Sequence, residues 1–260
     1  MAVLTLPLRV EGGAAATGTA VMVGVTAAMF ELAARWVHMG SEGEELISQS
    51  AWRRRHVVPV AKEEGLTRGG QVFRLAGAEG DCALLEFHPH RIDLRREVFF
   101  VRASIVLAPQ RGWLYRKHWE QARERPALPA EAVAEWELVP PVAVAHEPGA
   151  DMPARSYWAY GAGIEPEDCA RELTRMLREE TVPRMRRLLD RAALLAEIKD
   201  PAPDIRRRRP PGWAEVLLNV DQVIPADLEP LFEKVETDYP LADEFIDWAR
   251  AYATAHTANR

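Results

Sequence analysis

Val98-Phe99-Phe100-Val101-Arg102-Ala103-Ser104-Ile105-Val106-Leu107 is apolar on nearly both faces of an extended chain, interrupted only by Arg102 and Ser104. A strand covered on both sides reads this way, so this segment is expected at the centre of a sheet with helices on one side and a loop on the other. Upstream lie two further strand-like segments, Gln71 to Ala76 and Ala83 to Phe87, separated by the turn cluster Gly77-Ala78-Glu79-Gly80-Asp81. Such a cluster joins antiparallel neighbours, and the three segments together predict a meander.

Further upstream, Leu46, Ile47, Ala51, Val57, Val58 and Ala61 recur at helical spacing, with Arg53, Arg54, Arg55, Lys62 and Glu63 mainly on the other face. This predicts one amphipathic helix over 44–64, bent near Pro59 and stopped by Gly65. Downstream, 113–119 reads as a short helix, 126–153 as a Pro-punctuated loop region, and Ser156-Tyr157-Trp158-Ala159-Tyr160 as another strand. Glu165-Pro166-Glu167-Asp168 is a helix entrance, because orphan amides and the positive dipole end favour acids there. Cys169, Leu173, Met176 and Leu177, then Met185, Leu188, Leu189, Ala192 and Leu195, mark the buried stripes of two helical segments broken or kinked at Pro183. Arg206 to Arg209 with Pro210-Pro211 is a linker by composition. Beyond it, nine acids stand against Lys234 between Asp221 and Asp247, with helix starts at Pro225 and Pro240.

The expected fold is α+β: an antiparallel β-sheet packed against amphipathic helices, with a C-terminal helical segment. The expected organisation is an N-terminal extension or hairpin at 1–40, an α+β core domain at 41–203, and a basic linker with an acidic helical segment at 204–260. Lys62-Glu63-Glu64-Gly65-Leu66, Gln71-Val72-Phe73-Arg74, the strands at 84–88 and 98–107, Trp136-Glu137-Leu138, Ser156-Tyr157-Trp158 and Val182-Pro183-Arg184 follow one another in an order that resembles the bacterial DUF4304 family over about residues 44–200. The resemblance implies an α+β domain without established catalytic residues.

The 260 residues carry a formal net charge of −6, with 48% hydrophobic and 28% charged residues. That is the composition of a globular chain able to bury a core, and it argues against wholesale wrapping of a phosphate backbone. An uncharged run covers 12–30, but it is rich in Ala, Gly and Thr and lacks a basic flank, so neither a membrane span nor a signal peptide is expected. Val3 to Leu6 and Thr19 to Val23 alternate as a small hairpin would. Cys82 and Cys169 form no close pair; both are expected as buried hydrophobes in a reducing cytoplasm.

No nucleotide-loop, nucleophile-elbow or zinc-helix motif is present, and no cofactor is expected. His88 and His90 form H-x-H at a strand end, which places both imidazoles on one side with Glu86; these three are the alternative metal ligands of a metal-dependent enzyme. The aromatics of the middle third either fill the core or anchor a partner. The reading adopted from sequence is a non-catalytic, cytoplasmic binding protein, an inhibitor or immunity-type antagonist of a basic macromolecular partner. Its expected contact residues are Trp113, Tyr115, Trp119, Trp158, Asp238, Asp243 and Glu244. A protein partner is expected, nucleic acid is not, and a homodimer is compatible with the acidic and basic segments attracting one another.

Overall fold

Ser48 opens the first helix, α1 (Gln49–Glu63), by accepting a hydrogen bond from the Ala51 amide. Gly65, at φ +81°, closes it, and the Leu66 amide bonds back to the Ala61 carbonyl at 2.8 Å. In the computed structural model the described residues are 46–90, 92–146, 157–238 and 240–257. The N-terminal hairpin, the uncharged run and the boundary near residue 40 lie outside them. Among the described residues no helix is long and apolar enough to cross a membrane.

From α1 the chain enters an antiparallel meander of β1 (Thr67–Gly69), β2 (Val72–Ala76), β3 (Cys82–Pro89) and β4 (Arg96–Val106). Short helices α2 (Ala108–Leu114) and α3 (Trp119–Ala122) follow, then β5 (Ala134–Leu138), β6 (Ala145–His146) and β7 (Tyr157–Gly161). The expected central strand is indeed central. One edge of β4 pairs with β3 along its length, and the other is shared end to end, with β7 on Arg96–Phe99 and β5 on Val101–Ile105. At 11 residues β4 is long enough to serve two neighbours.

The stretch 126–153, read as loop, thus contains β5. Its alternation of Ala134, Trp136 and Leu138 toward the core with Glu135 and Glu137 on the other face is an ordinary strand pattern between Pro-rich flanks. Likewise the arginine run is more than a linker. Ile205–Arg207 forms β8, antiparallel to β5, and completes the order β1-β2-β3-β4-β5-β8. Arginines at a sheet edge discourage pairing with another chain, which is why an edge strand can have a linker's composition.

Helices cover one face of the sheet: α4 (Pro166–Met176), α5 (Val182–Leu188), α6 (Arg191–Lys199), α7 (Pro211–Asn219), α8 (Pro225–Phe232) and α9 (Ala242–Thr257). The interruption expected at Pro183 falls just before it. A π turn at Leu177–Thr181 joins α4 to α5, with the Val182 amide bonding to the Leu177 carbonyl. Pro183 has no amide to continue the α ladder, and a wide turn just before it absorbs the missing bond.

The main apolar core takes Phe73, Phe87, Phe99 and Trp136 from the sheet, Trp52 from α1, and Trp213, Phe245 and Ala249 from the C-terminal helices. The described residues from 46 onward accordingly group as one compact unit. Trp52 is fully buried, stacks on Tyr160 at 5.0 Å and donates Nε1–H to the Pro166 carbonyl at 2.9 Å. Truncating such a residue costs about 3–5 kcal/mol. Arg53 departs from the expected solvent face: it is buried beside the Phe87 ring, whereas Arg54 and Arg55 are exposed. Burial, and secondarily Arg68, lower its pKa.

The helices are tied to one another by charge. Arg184 donates to Asp204 Oδ1 at 3.1 Å and lies 3.9 Å from Glu197, which also accepts from Arg187 at 2.8 Å and from the Ala202 amide at 3.0 Å. The Arg184 hydrogen bond leads in holding Asp204 below its ordinary value; for Glu197 burial pushes upward, but Arg187, the Ala202 amide and Arg184 overcome it. Both carboxylates therefore contribute stability above their unfolded pKa, which is lost as pH falls through the lower folded value. Arg184→Gln is expected to lower stability at neutral pH by no more than about 1 kcal/mol, because solvent screens the half-exposed Asp204. The gap to wild type should close in acid, as read from urea unfolding midpoints at both pH values. A gap that widens in acid would contradict this assignment.

Candidate functional site

Because side chains alternate along a strand, the face of the sheet away from the helices carries Glu86 and His88 from β3, Phe100, Arg102 and Ser104 from β4, Glu135 and Glu137 from β5, and Arg206 from β8. Register aligns them in rows: Glu86 opposite Arg102 opposite Glu137, and Leu84 opposite Ser104 opposite Glu135 opposite Arg206. At one end Val72, Leu84 and Val106 pack against Ala127 and Ala132, so the loop before β5 covers that end. At the other, Val98, Tyr157 and Ala159 form a second apolar group. Between them lies an open, charged strip.

Opposite charges face one another across that strip. Arg102 lies 3.4 Å from Glu137 and 3.8 Å from Glu135. Glu135, whose side chain is only 5% exposed, also has Arg206 at 3.7 Å and Arg208 at 3.4 Å. A cavity of about 260 Å³ opens here, lined by Arg102, Glu135, Trp136, Glu137, Val139, Asp204 and Arg206. A second, of about 280 Å³, is lined by Ala130, Ala132 and all four arginines from Arg206 to Arg209.

The H-x-H pair does lie on this face, but its rings are engaged separately. His88 stacks on Phe100 at 4.3 Å and places Nε2 2.6 Å from Glu86 Oε2, whereas His90 stacks on Tyr157 at 4.8 Å. Among the described residues no group of three or more His, Cys, Asp or Glu is arranged to hold a metal ion. Of the alternative ligand set His88, His90 and Glu86, the first and last lie side by side, while the two imidazoles are oriented by different aromatic neighbours.

Nor are the thiols arranged as nucleophiles. Burial pushes Cys82 up to about 11 and raises Cys169 well above its ordinary value. Tyr115 is raised chiefly by its hydrogen bond to Glu131, with burial second. It donates to Glu131 Oε1 at 2.7 Å, while Arg111 lies 3.0 Å from Oε2 and the Leu128 amide donates to the same oxygen at 3.0 Å. This buried group orders the loop between α2 and β5.

The expected aromatic contacts divide sharply. Trp158 is fully buried and donates Nε1–H to the Leu138 carbonyl at 2.7 Å. Trp113, 5% exposed, packs edge-on against Trp213 and Phe245. These two are core residues, correcting the expectation that they meet a partner; their packing partners come from distant helices and no local pattern reveals them. Tyr115 is half-buried in the loop-ordering group, and Trp119 is half-buried at the start of α3.

The acids fare differently. Glu244 accepts from Arg116 Nε at 2.8 Å, and the same guanidinium covers the Trp113 ring at 3.8 Å. Asp238 and Asp243 are exposed, as are Asp227, Glu233 and Asp247. Between Asp238 and Asp243 stands Leu241, 56% exposed and held at φ +71°. Composition alone did not single it out. Exposure of an apolar side chain on left-handed backbone is visible only in three dimensions.

Comparison of the chain with protein-family models, with curated proteins and with solved structures gave no match.

His88→Phe should leave the fold intact because the stack on Phe100 survives, whereas His88→Ala should cost about 0.5–1.5 kcal/mol. Zinc titrated into the protein and followed by calorimetry should give no saturable heat. Stoichiometric uptake that disappears in His88→Phe would establish the metal reading instead.

Proposed function

We propose that this chain is a non-catalytic binding protein, an inhibitor or immunity-type antagonist, that engages a basic macromolecular partner through the acidic surface around the start of α9. The observation that carries this reading is Leu241. A leucine exposed to 56% and held at φ +71° is unfavourable twice over, in solvation and in backbone strain. It is flanked in sequence by the exposed acids Asp238 and Asp243. An apolar anchor inside a charged rim is the anatomy of a contact site, in which the anchor supplies affinity and the rim selects charge and speeds encounter.

Other observations support the non-catalytic side of this reading. Desolvation suppresses the half-buried Cys82 and the buried Cys169 as nucleophiles. Glu86, Arg102, Glu135 and Glu137 on the open strip each face an opposite charge or an imidazole. The partner would bring Lys or Arg side chains around an apolar pocket or ridge.

A basic amphipathic peptide built from Lys and Leu serves as the simplest probe. Wild-type protein should bind it with an affinity that falls steeply with salt, and Asp238→Asn with Asp243→Asn should weaken it markedly. Leu241→Gly should abolish binding while raising stability by up to about 1 kcal/mol, because glycine relieves the left-handed strain. Absence of wild-type binding at low salt, or binding indifferent to Leu241→Gly, would overturn the proposal.

A further inference from the structure

The run Arg206-Arg207-Arg208-Arg209 forms most of the wall of the second cavity, whose remaining lining is Ala130 and Ala132. Alternation along β8 divides the run. Arg206 and Arg208 turn toward the open face and Glu135, at 3.7 and 3.4 Å. On the helix side, Arg207 Nη1 donates to the Ile198 carbonyl at 3.3 Å, and Arg209 donates through Nε and Nη2 to the Gln110 carboxamide oxygen at 2.8 and 2.7 Å, in the amide orientation that satisfies both groups.

Those neighbours fix the arginines and offset only part of their charge. A backbone carbonyl and a carboxamide are neutral, and the carboxylate of Glu135 is shared among Arg102, Arg206 and Arg208. No Asp or Glu lines the cavity itself. Guarding a sheet edge would account for one or two exposed cations, but not for four lining one recess beside small alanines. Concentrated positive potential in a concave site attracts anions even when the whole chain is negative, and guanidinium forks match the oxygens of phosphate.

We propose that this recess is a binding site for a small phosphate-bearing ligand, with Arg206 and Arg208 as its principal donors and Ala130 and Ala132 leaving room for the anion. A volume of about 280 Å³ suits a diphosphate-sized group with a modest appendage rather than an extended polymer. The site is independent of the acidic surface at Leu241, so either assignment can fail without the other.

The test is calorimetric titration of the full chain with inorganic pyrophosphate at low salt. Wild type should show saturable binding of one equivalent. Arg206→Gln combined with Arg208→Gln, and separately Ala130→Glu, which places a carboxylate at the exposed rim, should each weaken it at least about tenfold. Arg171→Gln removes an equal charge from a side chain that is 66% exposed on α4, and should leave affinity unchanged. Circular dichroism of every variant confirms folding. No saturable pyrophosphate binding by wild type would overturn the proposal, as would equal weakening by Arg171→Gln. Binding of single-stranded DNA without pyrophosphate competition would overturn it in favour of a nucleic-acid surface.

Discussion

Arg191, at the start of α6, holds the two halves of this fold together. Its side chain is 10% exposed and lies between Asp81, at the turn from β2 to β3, and Asp221, after α7; those carboxylates are 3% and 8% exposed. Nε reaches Asp81 Oδ2 at 2.7 Å and Nη2 reaches Asp221 Oδ2 at 3.0 Å, while Nη1 also bonds to Asp221 and to the Leu218 carbonyl. Asp81 in turn accepts from the Ala108 amide at 2.8 Å, fixing the start of α2. Burial alone would lower the Arg191 pKa, but the bonds to Asp221 and Asp81 raise it above its ordinary value. One guanidinium thus connects the meander, the helix layer and the C-terminal helices. Removing one partner from such a group strands the others in low dielectric, at about 3–5 kcal/mol.

With that bridge in place, a chain of modest net charge presents two regions of opposite sign. Acids are displayed around α8 and α9, where Asp227, Glu233, Asp238 and Asp243 are exposed. Arginines gather at the sheet edge formed by β8, where backbone pairing with β5 and bonds to Gln110 and Ile198 hold them. Net charge describes solubility and long-range steering, while local fields decide which ligand meets which surface. A rigid scaffold matters for both regions, because neither Leu241 nor the arginine recess could keep its geometry on a loose tail.

Much of the scaffold was legible in sequence. The two-sided apolar character of 98–107, the turn cluster at 77–81 and the Pro-acid entrance at 165–168 each obey local rules, and each marks a real element. Less legible were β5, hidden between prolines, and β8, disguised by arginines that an edge strand tolerates. The aromatic cluster illustrates the deeper limit. Trp113, Trp213, Phe245 and Trp248 come from three helices and meet only after folding, with Trp213 stacked on Phe245 at 4.1 Å. Nothing in the spacing of Trp113 among its neighbours distinguishes a core anchor from a surface one. For the site, the charges were visible while their partners were not: Glu244 is occupied by Arg116, and the histidines by aromatic rings.

That the C-terminal helices belong to the same body as the sheet, through the Arg191 bridge, is tested most directly by amide hydrogen exchange in Arg191→Met. The variant keeps the length and apolar stem of the side chain but leaves Asp81 and Asp221 without their shared cation. The account predicts faster exchange throughout α7 and α9, with β3 and β4 retaining their protection. Wild-type protection in α7 and α9 of the folded variant would contradict it.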